Sequence, residues 1–108
     1  MDNIPFLANE ALFPRPKLTE QHEKYFDLSA HYELVRLSDL EFDHFIEKSA
    51  KNAYDLMLKA AKGEIEKRAP ISAIRQPERL QRYLIVDGNT TAAVALYSNW
   101  KTIPVQIP

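Results

Sequence analysis

The longest pattern of apolar positions lies between residues 39 and 62 and predicts one long helix. Apolar side chains recur there at steps of three and four residues, which places them on one helical face: Phe42, Phe45, Ile46, Ala50, Ala53, Leu56, Met57 and Ala60. Ser38 and Glu41 have the spacing of a capping box, so the helix is expected to begin there. Gly63 follows the last apolar position and is expected to end it.

Shorter patterns around this helix predict a small sheet. Runs of β-forming or mostly apolar residues predict strands at 31–37, 71–74, 82–86 and 102–107, and the run 82–86 is expected to be covered on both faces. A short helix is predicted from Leu18 to Ser29 with Thr19 as its N-cap. A second is predicted over 90–98, ended by Asn99, and a polar turn over 75–81. The predicted fold class is therefore α+β, a small mixed β-sheet with one long helix and one or two short helices.

Three prolines among the first 17 residues predict an extended arm rather than a helix or an inner strand. Its apolar residues are expected to dock on the core or on a second subunit, which would make a homodimer through the arm. We therefore divide the chain into an arm with a short helix, residues 1–30, and a domain, residues 31–108.

Composition restricts the function further. The 108 residues include 14 basic and 15 acidic side chains and no cysteine. The charge balance argues against sequence-blind binding to nucleic acid, and the lack of cysteine excludes disulfides, thiolate nucleophiles and cysteine-ligated zinc. The spacing of the three histidines predicts no metal site. Without an apolar run long enough to span a bilayer, we expect a cytoplasmic protein with no membrane partner.

The strongest candidate site is the turn between the strand ending at Asp87 and the following helix. Gly88, one of only two glycines, permits backbone angles closed to other residues and a close approach of a ligand. The amides of Asn89, Thr90 and Thr91 begin a helix and can bind an anion, and Asp87 can hold a divalent metal or accept a proton. The alternative is that Asp-Gly-Asn is an ordinary turn and N-cap.

Arg75, Arg79 and Arg82 form a basic turn just before the same strand. One interpretation is a positively charged wall for a phosphate or a nucleic acid, and the other is a solvated loop.

The run Arg82–Ala93 (RYLIVDGNTTAA), followed by Asn99–Val105 (NWKTIPV), resembles the signature of the ParB and sulfiredoxin superfamily. The segment Arg68–Ile71 (RAPI) also resembles the entry into that family's second strand, and the resemblance covers about residues 32 to 108. The D-G-x-x spelling is nearest the branch that includes free serine kinases.

The resemblance implies a nucleotide ligand, because the equivalent turn binds CTP in chromosome-partition proteins, ATP in sulfiredoxins and ADP in free serine kinases. It implies that Asp87 is the family's acid, Gly88 the turn glycine, and Asn89 to Thr91 the positions that hold phosphate. Thr90 and Thr91 stand where the family has His-Arg or Arg-Arg, so a triphosphate should bind more weakly unless Arg75, Arg79 or Arg82 substitutes. Asn89 stands at the sulfiredoxin cysteine and excludes sulfinic acid reduction.

Three functions remain open from the sequence. The first is a nucleotide-binding domain for ATP, ADP or CTP with Mg²⁺, with or without phosphoryl transfer or hydrolysis at Asp87. The second is an inactive interaction or regulatory module on the same fold. The third is a DNA-binding or nuclease accessory.

Overall fold

The computed structural model describes residues 16–42 and 47–108, without the side chains of residues 47–50 and 79–81. Within these ranges the chain forms three helices: α1 (His22–Tyr25), α2 (Glu47–Ala61) and α3 (Asn89–Tyr97). It also forms five strands: β1 (Glu33–Arg36), β2 (Leu40–Glu41), β3 (Ile71–Gln76), β4 (Arg79–Asp87) and β5 (Thr102–Gln106). No helix among the described residues is long and apolar enough to cross a bilayer.

The five strands form one mixed sheet in the order β1-β5-β3-β4-β2. Strand β5 lies inside the sheet, antiparallel to β1 and parallel to β3. The hairpin β3–β4 is antiparallel, and β2 adds to β4 in parallel. The predicted α+β class, with a small mixed sheet, one long helix and two short ones, is confirmed.

One face of the sheet carries the core. Side chains at alternate positions of the strands are buried with residues of α2 and α3 in a single cluster: Val35, Ile71, Ala73, Ile85, Ile103 and Val105. The intervening positions Leu34, Ile74 and Val86 are exposed by 40 to 54%. The prediction that the strand over 82–86 is covered on both faces is therefore wrong, because the helices cover one face and Val86 lies on the other.

Helix α3 is buried on most of its circumference. Its buried residues are mainly small, with Ala92, Ala93, Val94 and Ala95 each at most 2% exposed. Small side chains let the helix lie close to both α2 and the sheet, which it contacts at β3. This packing fixes the position of the first turn of α3, where the candidate site begins.

The capping box predicted at Ser38 to Glu41 is wrong. Residues Leu37–Asp39 form one 3₁₀ turn, and Leu40–Glu41 form β2. Leu40 is 2% exposed and pairs with Tyr83 of β4, so pairing with a distant strand overrides the local helix signal. Helix α2 ends as predicted, with Gly63 in the left-handed region at φ 78°. The predicted face residues Phe45 and Ile46 lie outside the described residues.

The polar turn predicted over 75–81 is also wrong in extent. Strand β3 continues to Gln76 and β4 begins at Arg79, so only Pro77 and Glu78 connect the two strands. The register shifts between Arg75 and Gln76, which accommodates the irregular end of the hairpin.

Residues 16–28 pack onto the same core as the sheet. Leu18, Tyr25 and Phe26 are buried in it, and helix α1 has Gln21 rather than the predicted Thr19 as its N-cap. Trp100, between α3 and β5, is also buried, and its Nε1 donates to the carbonyl of Leu18 at 2.9 Å. Residues 1–15, most of the predicted arm, lie outside the described residues, and the boundary at residue 31 stays a prediction.

Candidate anion-binding cleft

The turn between β4 and α3 depends on Gly88. Its backbone has φ 102° and ψ 23°, in the left-handed region where residues with a β-carbon are strained. A β-carbon placed on Gly88 would lie 2.6 Å from Cγ2 and 2.8 Å from Cβ of Ile71. Any side chain at Gly88 would therefore enter the space of Ile71 before it reached a ligand. The fold itself requires this glycine.

A cleft of about 390 Å³ opens beside this turn. The turn, helix α2 and the segment before β3 contribute its walls: Leu56, Ile65, Arg68, Ala69, Pro70, Ile71, Asp87, Gly88 and Thr91. The structure thus brings Asp87, Gly88 and Thr91, which were predicted from the sequence, to one cavity.

Thr91 is the most unusual polar group in this cleft. The residue is 1% exposed, and its Oγ1 has no hydrogen-bond partner among the described residues. Leaving a hydroxyl buried and unpaired costs about 1 to 3 kcal/mol, so such a group is commonly completed by a ligand or water. The hydroxyl belongs to the first turn of α3, whose amides carry the positive end of the helix dipole. The N-terminus of α3 and the Thr91 hydroxyl together favour an anionic ligand.

The other two predicted positions of this turn differ in exposure. Asn89 is buried at 6% exposure, whereas Thr90 is half-buried. The first intrahelical bond is donated by Ala92 to the carbonyl of Gly88 at 2.9 Å, so the amides of Thr90 and Thr91 precede the regular ladder. Their part in ligand binding stays a prediction.

Arg68 supplies the positive charge of the cleft. Its amide donates to the carbonyl of Tyr25 at 3.1 Å, and its carbonyl accepts from the amide of Asp27 at 2.7 Å. These bonds fix the backbone of Arg68 against residues 25–27, while its half-buried side chain lines the cleft. Within the described part of the chain no carboxylate forms an ion pair with Arg68. No ligand role was predicted for Arg68, because its only signal in the sequence was its place in the RAPI segment.

Arg75 points its guanidinium at other partners. Its Nη1 donates to the Tyr83 hydroxyl at 3.1 Å, and its Cζ lies 5.3 Å from the centre of the Tyr83 ring. Its Nη2 lies 4.0 Å from Oε2 of Glu33. Because Tyr83 precedes Asp87 by four residues of β4, the spacing is about 13 Å along the strand.

Arg82 is also held away from the turn. Its Nε lies 3.4 Å from Oε2 of Glu41, an ion pair without hydrogen-bond geometry, and its Nη1 donates to the Ser38 carbonyl at 3.3 Å. Neither Arg75 nor Arg82 lines the cleft. The structure does not bring these two predicted ligand residues to Asp87 and Gly88, and Arg68 occupies the place that they were expected to fill.

No group of three His, Asp or Glu side chains that could hold a metal occurs in residues 16–42 and 47–108. Asp87 is exposed and is the only carboxylate that lines the cleft within the described residues. A divalent metal at Asp87 would therefore need oxygen atoms of the ligand as further partners.

A second cleft, of about 470 Å³, lies on another side of the domain. Its lining includes Glu23, Asp27 and Glu66, and its one lysine, Lys67, donates through Nζ to the carbonyl of Glu23. Three carboxylates against one engaged lysine disfavour an anion, so size alone does not identify the binding site.

The structure is similar to that of the C-terminally truncated chromosome-partitioning protein ParB from Caulobacter crescentus, complexed with CTP-gamma-S. The TM-score is 0.54 at 16% sequence identity, and the similarity covers 73% of this chain and 44% of the ParB chain. This chain therefore matches less than half of the ParB chain's length. No protein-family model matches the sequence, and no curated protein matches it. The shared architecture shows that this chain has a ParB-like fold.

Proposed function

We propose that this chain is a nucleotide-binding domain whose ligand places a phosphate at the first turn of α3. The observation that carries the proposal is the unpaired, buried hydroxyl of Thr91 in a cleft that begins at a helix N-terminus. The ParB structure with the same fold is a complex with a CTP analogue, which supports a nucleotide as the ligand. Which nucleotide binds, among ATP, ADP and CTP, is the part that the experiment must decide.

The residues of the cleft have complementary roles in this proposal. The amides of Thr90 and Thr91 and the Thr91 hydroxyl would donate to phosphate oxygens, and Arg68 would pair with their charge. Leu56 and Pro70 offer apolar surface to the uncharged part of the ligand.

Asp87 is the one candidate for chemistry. It would hold Mg²⁺ together with phosphate oxygens, or accept a proton from a hydroxyl nucleophile during phosphoryl transfer or hydrolysis. Release of phosphate or of a nucleoside diphosphate, measured with and without Mg²⁺ for the natural chain and for Asp87→Asn, tests this step. Equal rates for both proteins would reject a catalytic Asp87.

Isothermal titration with ATP, ADP and CTP, with and without Mg²⁺, tests binding. A charge-assisted pair is worth about 1.5 to 3 kcal/mol, so Arg68→Gln should weaken binding about tenfold or more. Arg75→Gln is the matched control, because Arg75 is engaged with Tyr83 and should leave the affinity unchanged. The absence of heat from these three nucleotides and from AMP and CMP, all at millimolar concentration, would reject the proposal.

A second function is favoured by the sheet face opposite the helices. Leu34 and Val86 are each 54% exposed there, and Ile74 is 40% exposed. This face therefore offers apolar surface to a partner. We infer as the alternative that the domain is an interaction module that binds a second copy of itself. Sizing of the full chain and of residues 16–108 tests this alternative. A monomer in both cases would contradict a homodimer, a dimer kept by residues 16–108 would support one through this sheet face, and a dimer lost on truncation would support one through the arm.

A further inference from the structure

We infer that the cleft selects a ligand with a single phosphate group, a nucleoside monophosphate, over nucleoside diphosphates and triphosphates. The inference rests on the proposed nucleotide-binding function and specifies its ligand class. It comes from the charges that line the cleft.

The residues that line the cleft can balance little negative charge on a ligand. Among the described residues that line it, Arg68 is the only cation and Asp87 the only anion, so their formal charges cancel. Of the other arginines near β4 whose side chains the structure describes, Arg75 is paired with Glu33 and Arg82 with Glu41. One phosphomonoester carries about 1.5 to 2 negative charges, and direct contact with the Arg68 guanidinium and with a helix terminus of about half a positive charge offsets most of them. Every further phosphate adds charge for which the described lining residues supply no second cation.

The positive end of α3 also acts over a short range. Its influence falls off within the first helical turn, so it stabilises one phosphate group in contact with Thr90 and Thr91 and not a longer chain of phosphates. Asp87 stands at the end of β4, next to that turn, and would repel any phosphate that extended past it.

The remaining lining suits an uncharged body. Five of the nine described residues that line the cleft are apolar: Leu56, Ile65, Ala69, Pro70 and Ile71. The volume of about 390 Å³ lies toward the small end of the range for small-molecule sites, about 300 to 1,000 Å³. A nucleoside monophosphate matches this lining, because its single phosphate can lie at the first turn of α3 and its uncharged nucleoside can lie against the apolar residues.

Thr90 stands where the family that this chain resembles has histidine or arginine, so this position offers a gain-of-function variant. Thr90 is half-buried at the start of α3, so a longer side chain there can reach solvent, whereas Thr91 is too deeply buried for one. Thr90→Arg should add a second cation beside the first phosphate and favour longer phosphate chains. Asp87→Asn should do the same by removing the repelling charge.

The test is isothermal titration with AMP, ADP, ATP, CMP and CTP in EDTA, and again with Mg²⁺. In EDTA we expect the monophosphate of a given base to bind at least about tenfold tighter than its triphosphate. Mg²⁺ should reduce this ratio of affinities, because it neutralises part of the charge on the triphosphate. Thr90→Arg and Asp87→Asn should each shift the ratio at least about threefold toward the triphosphate, while Arg75→Gln should leave it unchanged.

The outcomes separate the two claims. A triphosphate that binds as tightly as the monophosphate or more tightly in EDTA overturns the selectivity and leaves nucleotide binding standing. Ratios in Thr90→Arg and Asp87→Asn that equal those of the natural chain overturn the charge argument. The absence of binding for every nucleotide overturns both the selectivity and the proposed function.

Discussion

Gly88 lies so close to Ile71 that a β-carbon at the glycine would stand 2.6 Å from Ile71 Cγ2. The contact joins the turn that begins α3 to the first residue of β3, and both residues line the candidate cleft. The wall of the cleft is thus set by the packing of the sheet, and a change at Gly88 tests the fold before it tests the ligand.

The glycine contact gives a first prediction. Gly88→Ala should lower the free energy of unfolding by about 2 to 4 kcal/mol, because it adds backbone strain and a clash with Ile71. Gly63→Ala is the matched control: Gly63 also has a left-handed backbone, with φ 78°, but nothing lies within 4 Å of an added β-carbon. It should cost only about 1 kcal/mol, from strain alone. Urea unfolding measures both, and equal losses would contradict the clash.

The unpaired hydroxyl of Thr91 gives a second prediction. Thr91→Val should raise the free energy of unfolding by up to about 1 kcal/mol in the absence of ligand, because the buried hydroxyl has no partner to lose. It should weaken nucleotide binding at the same time. Thr102→Val is the control, since the Thr102 hydroxyl donates to Oε2 of Glu20 at 2.9 Å and its loss should cost about 1 kcal/mol. Destabilisation by Thr91→Val of the same size would show that its hydroxyl is bonded.

Glu20 gives a prediction about pH. Burial raises the pKa of its carboxyl group, but hydrogen bonds from the Lys101 amide at 2.7 Å and from the Thr102 hydroxyl and amide outweigh burial and hold the pKa below 4.5. A lowered folded pKa means that the carboxylate stabilises the fold above about pH 4.5 and loses this effect as the pH falls through the folded pKa. The difference in unfolding free energy between the natural chain and Glu20→Gln should therefore be largest near neutral pH and should shrink as the pH falls below 4.5. A difference that does not depend on pH would reject this role of Glu20.

The packing of residues 16–28 predicts where the domain can be cut. Leu18, Tyr25 and Phe26 are almost fully buried, and each contributes about 1.5 to 3 kcal/mol of hydrophobic free energy. Their sum is comparable to the whole stability of a small domain, about 5 to 15 kcal/mol. We expect residues 16–108 to fold and residues 31–108 to remain unfolded, as measured by circular dichroism and the fluorescence of the single tryptophan, Trp100. Cooperative unfolding of the shorter chain would support the boundary at residue 31 instead.

The elements that were predicted correctly carry their signals locally. The end of α2 is marked by Gly63 and the end of α3 by Asn99, and both have the left-handed backbone expected of such residues, with φ 78° and 64°. Strand β5 and the turn at Gly88 were likewise readable from a few adjacent residues.

The predictions that were wrong depended on distant partners. Residues Ser38 to Glu41 have the sequence of a helix start. Leu40 instead pairs with Tyr83 of β4, more than 40 residues away in the sequence. The site shows the same limit, because Arg68 reaches the cleft through a bridge to Phe26 that no local pattern encodes. Arg75 and Arg82 were grouped with Asp87 on sequence proximity, but an extended strand separates neighbours in sequence by many ångströms.

The place of β5 in the sheet has a consequence for folding during synthesis. The final strand of the described chain is inserted between β1 and β3, so the first strand has no neighbour in the sheet until residues 102–106 have left the ribosome. Nascent chains stalled before Thr102 should then expose the edges of β1 and β3 to chaperones and proteases. Protection from proteolysis should arise in one step once β5 has emerged.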